Sequence, residues 1–206
     1  MFIRFFFAYF LVYLPLLFSA LLLLIIIVNY FFDNRKCLLF LKKIDIKKSI
    51  YALIIGTIFF DLLLSALQYV TWSSSPFSRL FLPPYQSINY FLGYITLHFW
   101  SADILALIFS FFIFLFLKLI KKYRTEIISR EELMLVLFGG LLVGWPRFVI
   151  WLPLFLVIAV IVSIANLLIF KKNNISLFFS IILSLIIVLI FGNFLINNSF
   201  LAVLSI

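Results

Sequence analysis

The sequence predicts an all-α protein, a polytopic transmembrane helix bundle with six or seven apolar helices. Three observations carry this. The 206-residue chain is 67% hydrophobic, with a mean hydropathy of +1.33 and only 11% charged residues, far outside the range of water-soluble domains. Its apolar residues fall in continuous runs instead of alternating, which excludes a β-barrel. Its lysines and arginines stand in short clusters between those runs. The net charge of +9 therefore reads as topology signals beside an anionic membrane face. The expected partner is the lipid bilayer, and no nucleic acid is implied.

Basic runs and polar breaks divide the chain into about seven apolar segments: Phe5–Val28, Ile50–Trp72, Gln86–Trp100, Ala102–Ile120, Leu133–Trp145, Phe148–Phe170 and Ile175–Ile196. A spanning helix needs about 20 apolar residues at ~1.5 Å each, which the first, second, fourth, sixth and seventh supply. The third and fifth are short. They cross only where the bilayer thins or neighbours shield their ends, and otherwise re-enter on the same side. The first run, about 24 residues, is longer than a signal-peptide core and has no Ala-x-Ala site after it, so it is expected to stay as the first span.

Charge sets the orientation. The Asn29–Lys48 loop carries Arg35, Lys36, Lys42, Lys43, Lys47 and Lys48 against Asp33 and Asp45. The Lys121–Glu132 loop carries Lys121, Lys122, Arg124 and Arg130, and Lys171-Lys172 precedes the last segment. The positive-inside rule places all three in the cytoplasm. Three apolar segments separate the first two loops, and an odd number of crossings would put them on opposite sides. Either Gln86–Trp100 does not cross, or a helix is missing before Ser73.

Polar residues inside apolar runs are costly and mark candidate sites. Thr57, Asp61, Ser65 and Gln68 recur at helical spacing and form one polar stripe on the second segment. It reads either as a substrate or proton path, or as a hydrogen-bonded helix contact with Asp61 neutral. His98, near Trp100, reads as an interfacial side chain, since a ligand site needs more than one donor. Cys37 is the only cysteine, so one chain can form neither a disulfide nor a cysteine zinc site. No cofactor is expected. Gly140/Gly144, Ala159/Ser163 and Ser176/Ser180/Ser184 make small-residue stripes where helix backbones approach closely, and Asn166 extends the second.

Arg130 to Trp145 reads REELMLVLFGGLLVGW: a carboxylate pair opens an apolar segment, two glycines stand a turn apart, and Trp145-Pro146 closes it. The block resembles the type IV prepilin peptidases, polytopic membrane aspartic endopeptidases of bacteria that cut the leader from pilin precursors. Ala106–Ile120 is similar to the helix leading into the family's glycine-rich catalytic loop. Leu82-Pro83 followed by Asn89–Gly93 is similar to the segment after the first catalytic Asp, and Lys171–Leu177 with Phe191-Gly192 to the basic loop and final helix. The likeness spans roughly Ser73 to Ile196. It implies an N-terminal helical pair with a basic loop over 1–72 and a prepilin-peptidase-like membrane domain over 73–206. It also implies a place in the cytoplasmic (inner) membrane, with type IV prepilin or pilus-assembly proteins as partners.

By the same resemblance Glu132 stands at the second catalytic Asp, with Glu131 beside it. The chain departs from the pattern elsewhere. Ile128, Ser129 and Arg130 replace the loop glycines, and Ser176 and Leu177 replace the proline- and glycine-containing opening of the last helix. The first Asp position falls on Pro76, with no carboxylate from Val70 to Ser101, and the paired Cys-x-x-Cys zinc ribbon is absent. An aspartic dyad needs two carboxyl groups about 3 Å apart sharing one proton. Glu131 points about 100° away from Glu132 on a helix. Asp103 lies some ~27 Å off along its helix, and Asp61 sits near mid-span, so none is predicted to partner Glu132. Glu131-Glu132 then read as favouring a helix N-terminus through the macrodipole. The expectation is a catalytically degenerate member of the family. The alternative is a non-catalytic scaffold of pilus assembly, or a small transporter subunit using the Asp61 stripe.

Overall fold

The computed structural model describes residues 14–15, 17–28, 46–123, 128–170 and 177–198. Within them the regular structure is all helical: α1 (Leu17–Val28), α2 (Ile46–Ser74), a 3₁₀ turn (Ser78–Phe81), α3 (Ile88–Tyr123), α4 (Arg130–Val143), α5 (Phe148–Phe170) and α6 (Leu177–Asn197). Four of these, α2, α3, α5 and α6, are long and apolar enough to cross a membrane, so this is a multi-pass membrane protein. Residues 29–45 with Cys37, and Arg124, Lys171, Lys172 and Ser176, lie outside the described residues.

The two segments Gln86–Trp100 and Ala102–Ile120 are one helix. No proline lies between Ile88 and Tyr123, and the polar residues at the junction do not cap. Thr96 and Ser101 instead donate their hydroxyls back to the carbonyls of Leu92 (2.7 Å) and Leu97 (2.6 Å). Between them, Thr96–Trp100 forms a π turn, one residue wider than an α turn. The short third segment therefore makes no crossing of its own. Two candidate spans, α2 and α3, stand between the two basic stretches of the sequence.

The ends agree with that count. Ile46 and Lys47 of α2 line the same crevice as Arg130 and Glu131 of α4, and the Leu177 amide opening α6 hydrogen-bonds to Glu132. Lys121 and Lys122 close α3 just before α4. Lysines and arginines of three helix ends thus gather at one end of the bundle.

A short element forms the centre of the bundle. At 14 residues, α4 is about 21 Å long, less than the ~30 Å of a hydrocarbon core. It packs against α2, α3 and α6 and is buried on every side, so it needs no lipid-facing length. Leu135, Phe138, Trp151, Ile181, Leu185 and Val188 are wholly enclosed there. Gly140 lets α3 come close: a Cβ at that position would overlap the Ser110 hydroxyl and the Phe148 ring. The Trp151 indole donates to Ser184 Oγ at 3.1 Å, and that hydroxyl donates to the Ile181 carbonyl at 2.8 Å, locking α5 to α6. Gly144, at φ +71°, ends α4 in a conformation glycine adopts freely, and α5 starts four residues later.

At the far end, α2 and α3 continue past the others. The 29 residues of α2 reach about 43 Å. There Trp72 meets Phe81, Tyr90, Phe91 and Tyr94 with ring centroids 4.7 to 6.5 Å apart. His98 is exposed and stacks on Tyr94 at 4.1 Å.

Candidate functional site

Asp61 is 6% exposed on α2 and faces α3. Its carboxyl group lies next to that of Asp103, close enough for the two to interact directly. Two carboxyl groups side by side can hydrogen-bond to each other only when one of them carries a proton, because an ionised carboxylate only accepts. One turn further along, Ser65 donates its hydroxyl to the Asp61 carbonyl at 2.6 Å and accepts from the Trp100 indole at 3.3 Å. That bridge fixes the register of α2 against α3 beside the acid pair. The π turn ends immediately before Ser101, and its extra residue rotates the rest of α3 by about 100° relative to an unbroken α-helix. Asp103 lies in that rotated stretch.

The pair borders two cavities. One, of about 420 Å³, is lined by α1, α2, α3, the end of α4 and α6, and takes Thr57, Asp61, Asp103, Gly144, Arg147 and Asn193 into its wall. The other, of about 270 Å³, runs along the seam of α2 and α3 past Ile54, Ile58, Ile104 and Leu107. Asp61 and Asp103 belong to both walls. Arg147 is supplied by the turn after Gly144. Its Nε donates to Asn193 Oδ1 at 2.9 Å, and its aliphatic stem lies where a side chain on Gly192 would sit, 3.2 Å from that Cβ position. Among the described residues no carboxylate lies within ion-pair distance of Arg147.

Glu132 is committed elsewhere. Its Oε2 accepts from the Ser129 amide at 2.8 Å while Ser129 Oγ accepts from the Glu132 amide at 3.1 Å, a capping box at the start of α4. Its Oε1 accepts from the Leu177 amide at 2.7 Å, capping α6 as well. Both oxygens of this buried carboxylate thus hold helix N-termini, the macrodipole role that the sequence offers for Glu131-Glu132. Glu131 is exposed at the basic end. The polar stripe divides in the same way. Asp61 and Ser65 turn inward, Thr57 lines the cavities while donating to the Ile54 carbonyl at 2.9 Å, and Gln68 is half-buried two turns beyond Asp61.

Asp103, Arg147 and Asn193 are the residues that sequence reasoning leaves out of the site. Asp103 carries a signal, since it is a lone acid between two apolar stretches, as Asp61 is. The pairing is hidden by the split of α3 into two segments, which puts Asp103 at an end instead of mid-helix. Chemically, the site offers an acid and a base in contact, a guanidinium across the same cavity and an apolar groove leading away. No cluster of three metal-ligating side chains occurs among the described residues. The chain matches no protein family, no curated protein and no solved structure.

Proposed function

We propose that the chain is a prepilin-peptidase-like protein of a bacterial cytoplasmic membrane, with six or seven apolar helices, whose acid–base chemistry is carried by Asp61 and Asp103. The observation behind this reading is the approach of two carboxyl groups, Asp61 and Asp103, in the wall of one cavity between candidate membrane-spanning helices. In an aspartic dyad the ionised partner takes a proton from water, the water oxygen bonds to the amide carbon, and the protonated partner gives its proton to the departing nitrogen. Glu132, the residue that the family resemblance nominates, is bound to two helix N-termini and has no carboxyl partner. The pair on α2 and α3 supplies the partner which that position lacks. Asp61 lies about 20 Å along α2 from Lys48, so a scissile bond has to be drawn into the cavity from the basic end.

A second reading keeps the membrane protein and drops the hydrolysis: a scaffold of pilus assembly or a small solute carrier. Arg147 favours the carrier, because a charged solute would use a guanidinium opposite a protonatable pair and dyad chemistry does not need one.

Co-expression with a type IV prepilin from the same genome separates the two. Leader cleavage by wild type, lost in Asp61→Asn and in Asp103→Asn but kept per folded molecule in Glu132→Gln, is the expected pattern. No cleavage by well-expressed wild type sinks the peptidase reading, and solute uptake lost in Asp61→Asn would put the carrier in its place.

A further inference from the structure

We infer that the Arg147 chamber and the adjoining α2–α3 groove together bind an anionic phospholipid, its phosphate on Arg147 and one acyl chain along the groove. This does not rest on the peptidase reading. Two observations carry it. First, Arg147 uses only its Nε, on Asn193 Oδ1. A guanidinium has five N–H donors, so the two Nη groups carry four more on a residue that lines the cavity. Arg147 stands half-buried in the turn before α5 with no carboxylate within ion-pair distance among the described residues, and its planar fork matches phosphate oxygens two at a time.

Second, the chamber is continuous in its wall with an apolar groove. The two share Leu53, Thr57, Asp61, Asp103 and Leu141. Ile58, Ile104 and Leu107 line the groove and are each 44 to 46% exposed. In a membrane-spanning pair of helices such exposure faces lipid, so a chain can enter sideways from the bilayer. A chamber of about 420 Å³ of mixed lining, with Arg147, Asn193 and the two acids in its wall, beside an apolar one of about 270 Å³ fits a ligand with a charged head and a hydrocarbon tail. A free phosphate would use the first and leave the second empty.

The neighbouring carboxyl pair sharpens the selectivity. Two carboxyl groups in the same wall carry negative charge of their own, which repels a dianion more than a singly charged phosphodiester. The lipid would also cover the pair and compete with any peptide segment entering the cavity.

The test is lipid retention by purified protein, read by native mass spectrometry after exchange into detergent with added phosphatidylglycerol or phosphatidylcholine. Wild type should retain one phosphatidylglycerol at least tenfold more strongly than phosphatidylcholine. Arg147→Gln should abolish that preference, Arg147→Lys should keep part of it, and Leu107→Trp, which fills the groove, should weaken retention with Arg147 intact. Lipid retention and leader cleavage are separate readouts on the same protein, so failure of the catalytic reading and failure of this one are distinguishable. Circular dichroism on each variant confirms that the helices are intact. Equal retention of both lipids would overturn the proposal. So would unchanged retention in folded Arg147→Gln, or full displacement by inorganic phosphate, which would mark a site for the bare anion.

Discussion

Asp61 and Asp103 stand 42 residues apart in the chain and meet carboxyl to carboxyl across the α2–α3 seam. Their contact depends on both helices running unbroken past the middle of the bundle and on the Ser65–Trp100 bridge that sets their register. If the two act as a unit, their mutational effects are not additive. Asp61→Leu leaves Asp103 with an unpaired polar group in the wall of the cavity and should cost about 1–3 kcal/mol in detergent unfolding. The double Leu variant should cost less than the sum of the singles by about 1 kcal/mol or more. Strict additivity would show that the pair is not coupled.

Glu132 should prove a structural residue. Glu132→Ala removes the acceptor for two helix N-termini at once, and charged hydrogen bonds contribute about 1.5–3 kcal/mol each. Melting temperature and expression should fall sharply, Glu132→Gln should lie between, and exposed Glu131→Gln should stay within about 0.5 kcal/mol of wild type. Normal stability of Glu132→Ala would show that the double cap contributes little.

The Trp151–Ser184 bond gives a cleaner measurement. Ser184→Ala leaves the indole N–H of a wholly buried tryptophan without its acceptor, at a cost of about 1–3 kcal/mol. A thermal shift assay that finds no loss would mean that the indole had found another partner.

Two glycines should behave in opposite ways. Gly140→Ala drives a methyl group into Ser110 and Phe148 and should destabilise by about 1–3 kcal/mol. Gly93→Ala meets nothing within 4 Å and should be neutral or stabilising, since alanine favours a helix over glycine by roughly 1 kcal/mol. Unfolding of both variants side by side decides it.

Topology can be read from Cys37. With α2 beginning at the basic end, an impermeant thiol reagent should fail to label intact cells and label permeabilised ones. Labelling of intact cells would invert the orientation.

Composition by itself determined the solvent, and with it the class of fold. A chain this apolar has to satisfy its backbone hydrogen bonds internally, so continuous apolar runs become helices whatever their neighbours are. The basic end and the tight packing at Gly140 come from single residues and their immediate spacing. The site did not. Whether Gln86–Trp100 is a separate element or the first half of α3 depends on the acceptors that Thr96 and Ser101 choose for their hydroxyls. In lipid they bond back to their own helix, and the apparent break disappears. That one outcome moves Asp103 from a helix end to a helix middle, opposite Asp61. Likewise Glu132 reads as a catalytic acid only until the start of α6 comes within 2.7 Å of it. Hydrophobicity acts on each segment alone and is visible residue by residue. A carboxyl group's role is set by which backbone amide or second carboxyl lies next to it, and here that neighbour sits 42 or 45 positions away, where only the packing of helices brings it.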